Sequence, residues 1–332
     1  MEDIMKIGKL PEPVLIRSIL KQVKHRRNEV LVGPGVGQDC AVLEVGPEEV
    51  LVMSTDPITG TVKDIGSHSI HITANDLAAS GAEPVGVMLT IMLPDDVAEA
   101  ELKKMMQDAE RICKELHIEI LGGHTEITNV VRQPFISVTG VGKIHRSKVL
   151  STARMKPEQD IVVTKWIGLE ATTILAKEKE EELKRRFPSG LVDTAKEFDQ
   201  YLSVVPEAKI AMEHGASAMH DITEGGILGA LWEMASGAGV GLEVDMKKIP
   251  IRQETVEVCE YFHVNPYLIM SSGSMMIATD QGHELVRKLE LAGIHASVIG
   301  RTNNGNDRIL RNGEDIRYLD KPQTDELYKV LG

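Results

Sequence analysis

Apolar residues along the chain recur in two periods, which separates strands from helices. Val14, Ile16, Ile19, Leu20 and Val23 fall mostly on one side of a helix predicted over Pro13–Val23. The pattern then predicts strands near 40–45 and 49–54, a helix near 64–80, a strand near 85–93, a helix near 97–116, and strands near 118–121 and 135–143. That β-β-α-β-α-β-β order fits a small α+β domain closing near Val149. A polar, basic stretch from His145 to Pro157 follows, so the expected domains are 1–150 and 151–332. The second domain reads as a strand over Asp160–Lys165, helices near 169–179, 190–202, 206–214 and 225–236, and strands near 241–245, 274–279 and 296–300. Lys177–Arg186 is a dense charge run, expected as a solvated helix face.

Carboxylates stand at the ends of several apolar runs. His71-Ile72-Thr73-Ala74-Asn75-Asp76-Leu77-Ala78-Ala79 places one carboxylate on a helix of small and apolar residues, which Gly81 and Pro84 terminate. Asp76 has no Lys or Arg three or four residues away, so local ion pairing does not explain it. Gly33-Pro34-Gly35-Val36-Gly37-Gln38-Asp39 is a glycine loop leading into a strand, not a loop-to-helix phosphate motif. Glycines let backbone N–H groups approach phosphate, and a carboxylate beside such a cradle calls for a divalent cation, naturally Mg²⁺. The competing reading is a glycine turn with a solvated Asp39. Asp56 closes the Val50–Met53 strand, and Gly122-Gly123-His124-Thr125-Glu126 follows the next apolar run. Met219-His220-Asp221-Ile222-Thr223-Glu224-Gly225-Gly226 leads into a helix. Strand ends and helix starts are where ligand sites gather, because backbone donors are free there.

Composition trims the alternatives. Aromatic residues make up only 3% of the chain, which argues against a base-stacking surface. A net charge of −13 disfavours nucleic acid and anionic membranes as partners, while a cation-filled site can still accept a nucleotide. Three cysteines without paired spacing, and no secretory or membrane-spanning run, point to the cytoplasm. Cys40 beside Asp39 reads as a small buried hydrophobe, and the basic Lys24-His25-Arg26-Arg27 as cations at a helix C-terminus. His68 and His71 share a helical face with Asp64 and Asn75, a spacing open to zinc, but no third strong ligand is placed. Lys165, at the end of its strand, reads equally as a phosphate contact or a solvated side chain.

In order along the chain, GxDxAVL at Gly37–Leu43, TDP at Thr55–Pro57, NDLAASGAEP at Asn75–Pro84, GGHTE at Gly122–Glu126 and MHDITEGGILGALWEMA at Met219–Ala235 resemble the aminoimidazole ribonucleotide synthetase superfamily. That group includes selenophosphate synthetase, thiamine-monophosphate kinase and the hydrogenase maturation HypE proteins. The HypE branch is the most similar, with a histidine at the position of His71. The resemblance implies a PurM-like α+β fold of two domains. The N-terminal mixed sheet would form a barrel across a homodimer, and the C-terminal domain an α/β sandwich. It also implies ATP and Mg²⁺, with Asp39, Asp56, Asp76 and Asp221 as metal ligands. Gly35, Gly37, Asn75, Gly122, Gly123, Gly225 and Gly226 would line the nucleotide, with His71 and Asp76 in catalytic roles.

Departures restrict what is carried over. HypE proteins end in a cysteine tail that is carbamoylated and dehydrated, whereas this sequence ends Tyr328-Lys329-Val330-Leu331-Gly332 and its last cysteine is Cys259. The HypE GGDT reads Gly122-Gly123-His124-Thr125 here, and the Arg of its DxTRGG motif is Glu224. Near Met270 an acidic residue gives way to Ser271-Ser272-Gly273-Ser274. Two expectations remain. One is an ATP-dependent enzyme that phosphorylates an oxygen of a small-molecule or protein-borne substrate. The other is a nucleotide-binding maturation or regulatory partner without turnover of its own.

Overall fold

A computed structural model describes residues 12–14, 30–32, 35–37, 41–44, 46–58, 63–94, 96–322 and 324–331. Asp39, Cys40, Lys24–Arg27 and most of the helix expected over Pro13–Val23 lie outside them; α1 (Glu12–Val14) is described where that helix is expected to begin. Backbone contacts divide the chain between Val149 and Leu150 into two compact units, with residues 12–14 and 35–37 grouped with the second.

The N-terminal unit holds β1 (Val30–Val32), β2 (Ala41–Glu44), β3 (Glu49–Ile58), α2 (Ile65–Ala79), β4 (Glu83–Leu93), α3 (Glu99–Glu115), β5 (Glu119–Ile127) and β6 (Phe135–His145). Its sheet runs β1-β2-β3-β6-β4-β5. Among the described residues only β4 and β5 of this sheet pair in parallel, and α3 supplies the crossover that a parallel pair needs. Alternate residues of β3 and β6 turn inward: Val50, Val52, Ser54, Ile58, Ile136, Val138 and Ile144 are buried. Helix α2 packs against β3, β4 and β6 and is buried nearly all round, which is why its sequence lacks a polar stripe. Gly140 allows this approach, since a methyl there would collide with Thr73 Cγ2. A Schellman-type end closes α2, with Gly81 at φ 81° and Ala82 N–H donating to Leu77 O at 3.1 Å.

One expected boundary is corrected: β5 does not stop at 121. It runs on through Gly122 and Gly123, at φ 144° and 148°, as far as Ile127. Gly123 lies so close to β4 that a side chain would strike Leu89 O, so pairing with β4 carries the strand across the glycines.

The C-terminal unit is built from β7 (Asp160–Thr164), α4 (Leu169–Glu178), α5 (Glu180–Arg186), α6 (Ser189–Lys196), α7 (Val205–Glu213), β8 (Ala216–Asp221), α8 (Gly226–Ala238) and β9 (Gly241–Asp245). It continues with α9 (Gln253–Tyr261), β10 (Met275–Thr279), α10 (Gly282–Leu291), β11 (Ala296–Asn303), β12 (Arg308–Asn312), β13 (Asp315–Tyr318) and α11 (Tyr328–Leu331). Its sheet runs β13-β12-β9-β11-β7-β10-β8, antiparallel except at β9–β12. Ile161, Val163, Leu242 and Ile299 form one core with Ile227, Leu231 and Ala235 of α8. A second core joins Ile174, Leu175, Val192 and Val258 to Leu327 near the C-terminal end.

Lys165 fits neither reading of it. It is 7% exposed, at φ 52°, and its Nζ meets Glu207 Oε1 at 2.7 Å and donates to Tyr201 O and Ser203 O at 2.8 and 2.6 Å. Burial pulls its pKa down while Glu207 pushes back. It ties β7 to the start of α7 from inside the unit.

Candidate functional site

In the N-terminal unit the sequence places two carboxylates twenty residues apart, and the fold brings them to one hydroxyl. Ser54 and Asp56 share the helix-covered side of β3 because side chains alternate along a strand. From α2, Asp76 presents its carboxylate to the same place. Ser54 Oγ donates to Asp76 Oδ2 in a short bond and lies 3.3 Å from Asp56 Oδ2. Asp76 is 7% exposed and Asn75 fully buried, while Asp56 and His71 are half-buried. His71 sits four residues before Asn75, hence on the same helical face. The two carboxylates and one hydroxyl are hard oxygen donors of the kind Mg²⁺ prefers, so the donor set fits that ion. Among the described residues no group of three or more His, Cys, Asp and Glu side chains gathers as a metal cage. Gly122, near this sheet's edge, has open space where a side chain would be, whereas Gly123 is fully explained by its contact with β4.

The C-terminal unit holds the second group. Asp221 ends β8 and is 1% exposed; its backbone pairs with Met275 of β10. The chain then turns through Thr223–Gly226 into α8, with Gly225 at φ 85° and Gly226 at φ 62°. Gly226 N–H donates to Thr223 O at 3.1 Å, and Gly225 N–H donates to Asp325 Oδ2 at 2.7 Å. A methyl on Gly226 would lie 2.6 Å from Tyr267 O, so protein packing by itself demands glycine there. Buried Glu170, at the start of α4, accepts the Ser272 N–H at 3.1 Å. Beside Asp221, His220 Nε2 lies 3.2 Å from Glu233 Oε2 on α8.

Residues 36 and 37 of the glycine loop pack against α8. Gly37, at φ 66°, leaves room for the helix, since a methyl on it would lie 2.8 Å from Glu233 O. Thr152 Oγ1 donates to Gly37 O at 3.0 Å. Close by in sequence, Trp232 Nε1 donates to Glu12 Oε2 at 2.6 Å, and Arg308 stacks 3.9 Å over the indole. Glycine at 37 is therefore accounted for by helix contact, and Gly35 beside it is half-buried.

These two groups of carboxylates sit in domains with known counterparts. The N-terminal domain of AIR synthase related proteins matches residues 37–144, and their C-terminal domain matches 156–311. The chain belongs to the AIR synthase related family. A Methanocaldococcus jannaschii protein named for hydrogenase expression and formation is 26% identical over 331 residues, covering 95% of this chain and 96% of its own. Carbamoyl dehydratase HypE of Cupriavidus necator is 26% identical over 275 residues, covering 77% and 76%. Among solved structures, a HypE–HypF complex matches at a TM-score of 0.74 and 18% identity, covering 93% of this chain and 99% of that one. A HypE structure in complex with ATP matches at 0.72 and 20% identity, covering 87% and 89%. The shared fold is that of the AIR synthase related family, two α+β domains in sequence. No helix among the described residues is long and apolar enough to cross a membrane.

Three residues of these groups escaped the sequence reading. Ser54 had a signal, being two residues before Asp56 and so on the same face of a strand. Asp325 and Glu170 had none, because their partners are backbone N–H groups 100 and 102 residues away.

Proposed function

We propose that this chain binds ATP with Mg²⁺ and uses it to phosphorylate an oxygen of its substrate, turning that oxygen into a leaving group. The observation that carries this reading is the Ser54–Asp56–Asp76 cluster on an AIR synthase related domain. Relatives named carbamoyl dehydratase, and a like-folded protein bound to ATP, support it. Asp56 and Asp76 would be metal ligands in the first unit and Asp221 one in the second; Asp39, the fourth expected ligand, lies outside the described residues. Bound there, Mg²⁺ screens the phosphate charge during transfer. Ser54 holds the two carboxylates at one spacing by sharing its hydroxyl between them. Asn75, buried beside Asp76 on the same helix, would line the nucleotide. His71 carries a proton to or from the reacting oxygen, a role suited to imidazole near neutral pH.

The same reading includes a homodimer. Strands β4 and β5 leave Val85, Met88, Leu121 and Ile127 between 39% and 55% exposed, apolar surface that a second copy would cover as the family's shared barrel. A maturation partner is a further part of it, supported by the like-folded HypE–HypF complex. A cytoplasmic location completes it.

A second reading, a nucleotide-binding maturation or regulatory partner without turnover of its own, is supported by Glu224 and the Ser271-Ser272-Gly273-Ser274 turn, which depart from the family's motifs. A thermal-shift titration with ATP, ADP and AMP, with and without Mg²⁺, on wild type and Asp76→Asn decides the matter when paired with a phosphate-release assay. Ligand at about a hundred times its Kd stabilises the native state by roughly 2.7 kcal/mol. A Mg²⁺-dependent shift and phosphate release, both lost in Asp76→Asn, support the enzyme. A shift without release supports the second reading, and no shift with any nucleotide removes both.

A further inference from the structure

The segment after Thr324 is built into the C-terminal unit by its polar groups as well as its apolar ones. Leu327 is fully buried in the core formed by α4, α6 and α9. Glu326 N–H donates to Leu268 O at 3.2 Å, and Glu326 Oε2 accepts the Asn265 N–H at 3.1 Å. Asp325 makes the one contact of a different kind. Both its oxygens are used: Oδ1 accepts the Leu327 N–H at 2.8 Å, and Oδ2 accepts the Gly225 N–H at 2.7 Å. The carboxylate thus bridges its own segment to the glycine turn.

That turn, which directly follows Asp221 in the chain, is held by further backbone bonds. Ile222 N–H donates to Ser274 O at 3.0 Å, Gly226 N–H to Thr223 O at 3.1 Å, and Leu228 N–H to Tyr267 O at 3.2 Å. Gly225, at φ 85°, has no side chain to lock it; its carbonyl accepts the Gly229 N–H at 3.1 Å, and its own N–H is held by Asp325. We propose that Asp325 is a positioning residue that clamps Gly225 so that the turn, and through it Asp221, is set for the metal-bound nucleotide. This rests on the nucleotide reading given above.

The clamp is sensitive to protons because of what faces it. Burial, together with Glu224 of the turn and Glu170 of α4, pushes the Asp325 carboxyl up to about 7, against the two backbone N–H bonds that pull it down. Cys259 of α9 faces the same segment, and its thiol is pushed up to about 12 by burial, then by Glu326 and Asp325. Ionised, Asp325 accepts both N–H groups; protonated, one oxygen becomes a donor and the clamp loosens.

The test is Mg·ATP affinity by calorimetry from about pH 5.5 to 8.5 on wild type, Asp325→Asn and Glu326→Ala. Asp325→Asn is expected to bind about tenfold more weakly at the alkaline end, where one acceptor has been lost, and the gap to wild type should close as pH falls. The difference between the two proteins cancels the titration of the nucleotide itself. Glu326→Ala breaks the Asn265 bond in the same segment and should melt earlier while keeping the wild-type affinity and pH profile. An Asp325→Asn protein that matches wild type throughout overturns the proposal, as does a Glu326→Ala protein that loses as much affinity. If Asp325→Asn does not fold, the Gly225 amide proton of the wild type decides: its chemical shift must titrate with the same midpoint as affinity, and a flat shift overturns the clamp. Wild type that binds no nucleotide at any pH removes the nucleotide reading instead, while the Gly225 titration would persist.

Discussion

The two units place acids beside glycines and tight turns in similar sequence settings, yet use the acids in opposite ways. In the N-terminal unit, Asp56 and Asp76 converge on one hydroxyl, an arrangement of hard oxygen donors that suits a cation. In the C-terminal unit, Asp325 and Glu170 accept backbone N–H groups that loops would otherwise leave unpaired. A carboxylate shared with a hydroxyl can serve a ligand, whereas one taken up by main-chain donors serves the fold. Lys165 with Glu207 extends the second pattern, since a fully enclosed ion pair and two carbonyls consume every donor of the ammonium.

That contrast can be broken most severely at Lys165. Lys165→Met should destabilise by about 3–5 kcal/mol because it leaves Glu207 buried without its cation. Adding Glu207→Leu should restore most of the loss, and thermal melts of the three proteins check this. Next come the glycines: Gly226→Ala meets Tyr267 O and a left-handed φ, and should cost on the order of 2–3 kcal/mol. Gly225→Ala, with nothing nearer than Gly229 Cα at 3.7 Å, should show only the backbone penalty, about 1 kcal/mol. Equal losses at both positions would show that packing does not distinguish them.

The pH dependence sharpens the comparison further. Asp325 is raised from 3.8 to about 7, so the folded chain holds this proton more tightly than the unfolded one. Its contribution is therefore fully present below about pH 4 and is lost as pH rises through about 7. Denaturant midpoints should fall across that window, and Asp325→Asn should flatten the fall. The smallest effect belongs to Ser54→Ala, at about 1 kcal/mol or less in stability, because one hydroxyl bond is lost from a cluster that a cation can re-order. Its larger consequence should be a weaker Mg²⁺ affinity, so that more Mg²⁺ is needed for the nucleotide-induced melting shift, and an unchanged metal titration would separate Ser54 from the site.

Much of the element order was legible because burial imposes its period on the sequence. The strands carrying Asp56 and Asp221 and the helix carrying Asp76 are set by apolar runs that only one kind of element can bury. Where the period was weak the reading lapsed. Helix α9 carries β-branched Thr255, Val256 and Val258, which blur a helical signal. Strands β12 and β13 hang on the sheet edge with mostly polar residues, and only Asn312-Gly313 between them announces a turn. The glycine pair at Gly122 read as a stop because strand propensity is local, while pairing with β4 is not.

By itself the sequence determined the two-domain α+β plan, the family and the acids that stand near strand and helix ends, since each follows from short-range spacing. Only the tertiary structure decided which acids work together. Ser54 meets Asp76 across 22 residues, and Asp325 meets Gly225 across 100. Hydrogen bonds act over about 3 Å whatever the separation along the chain, so their partners are chosen by packing and not by sequence order.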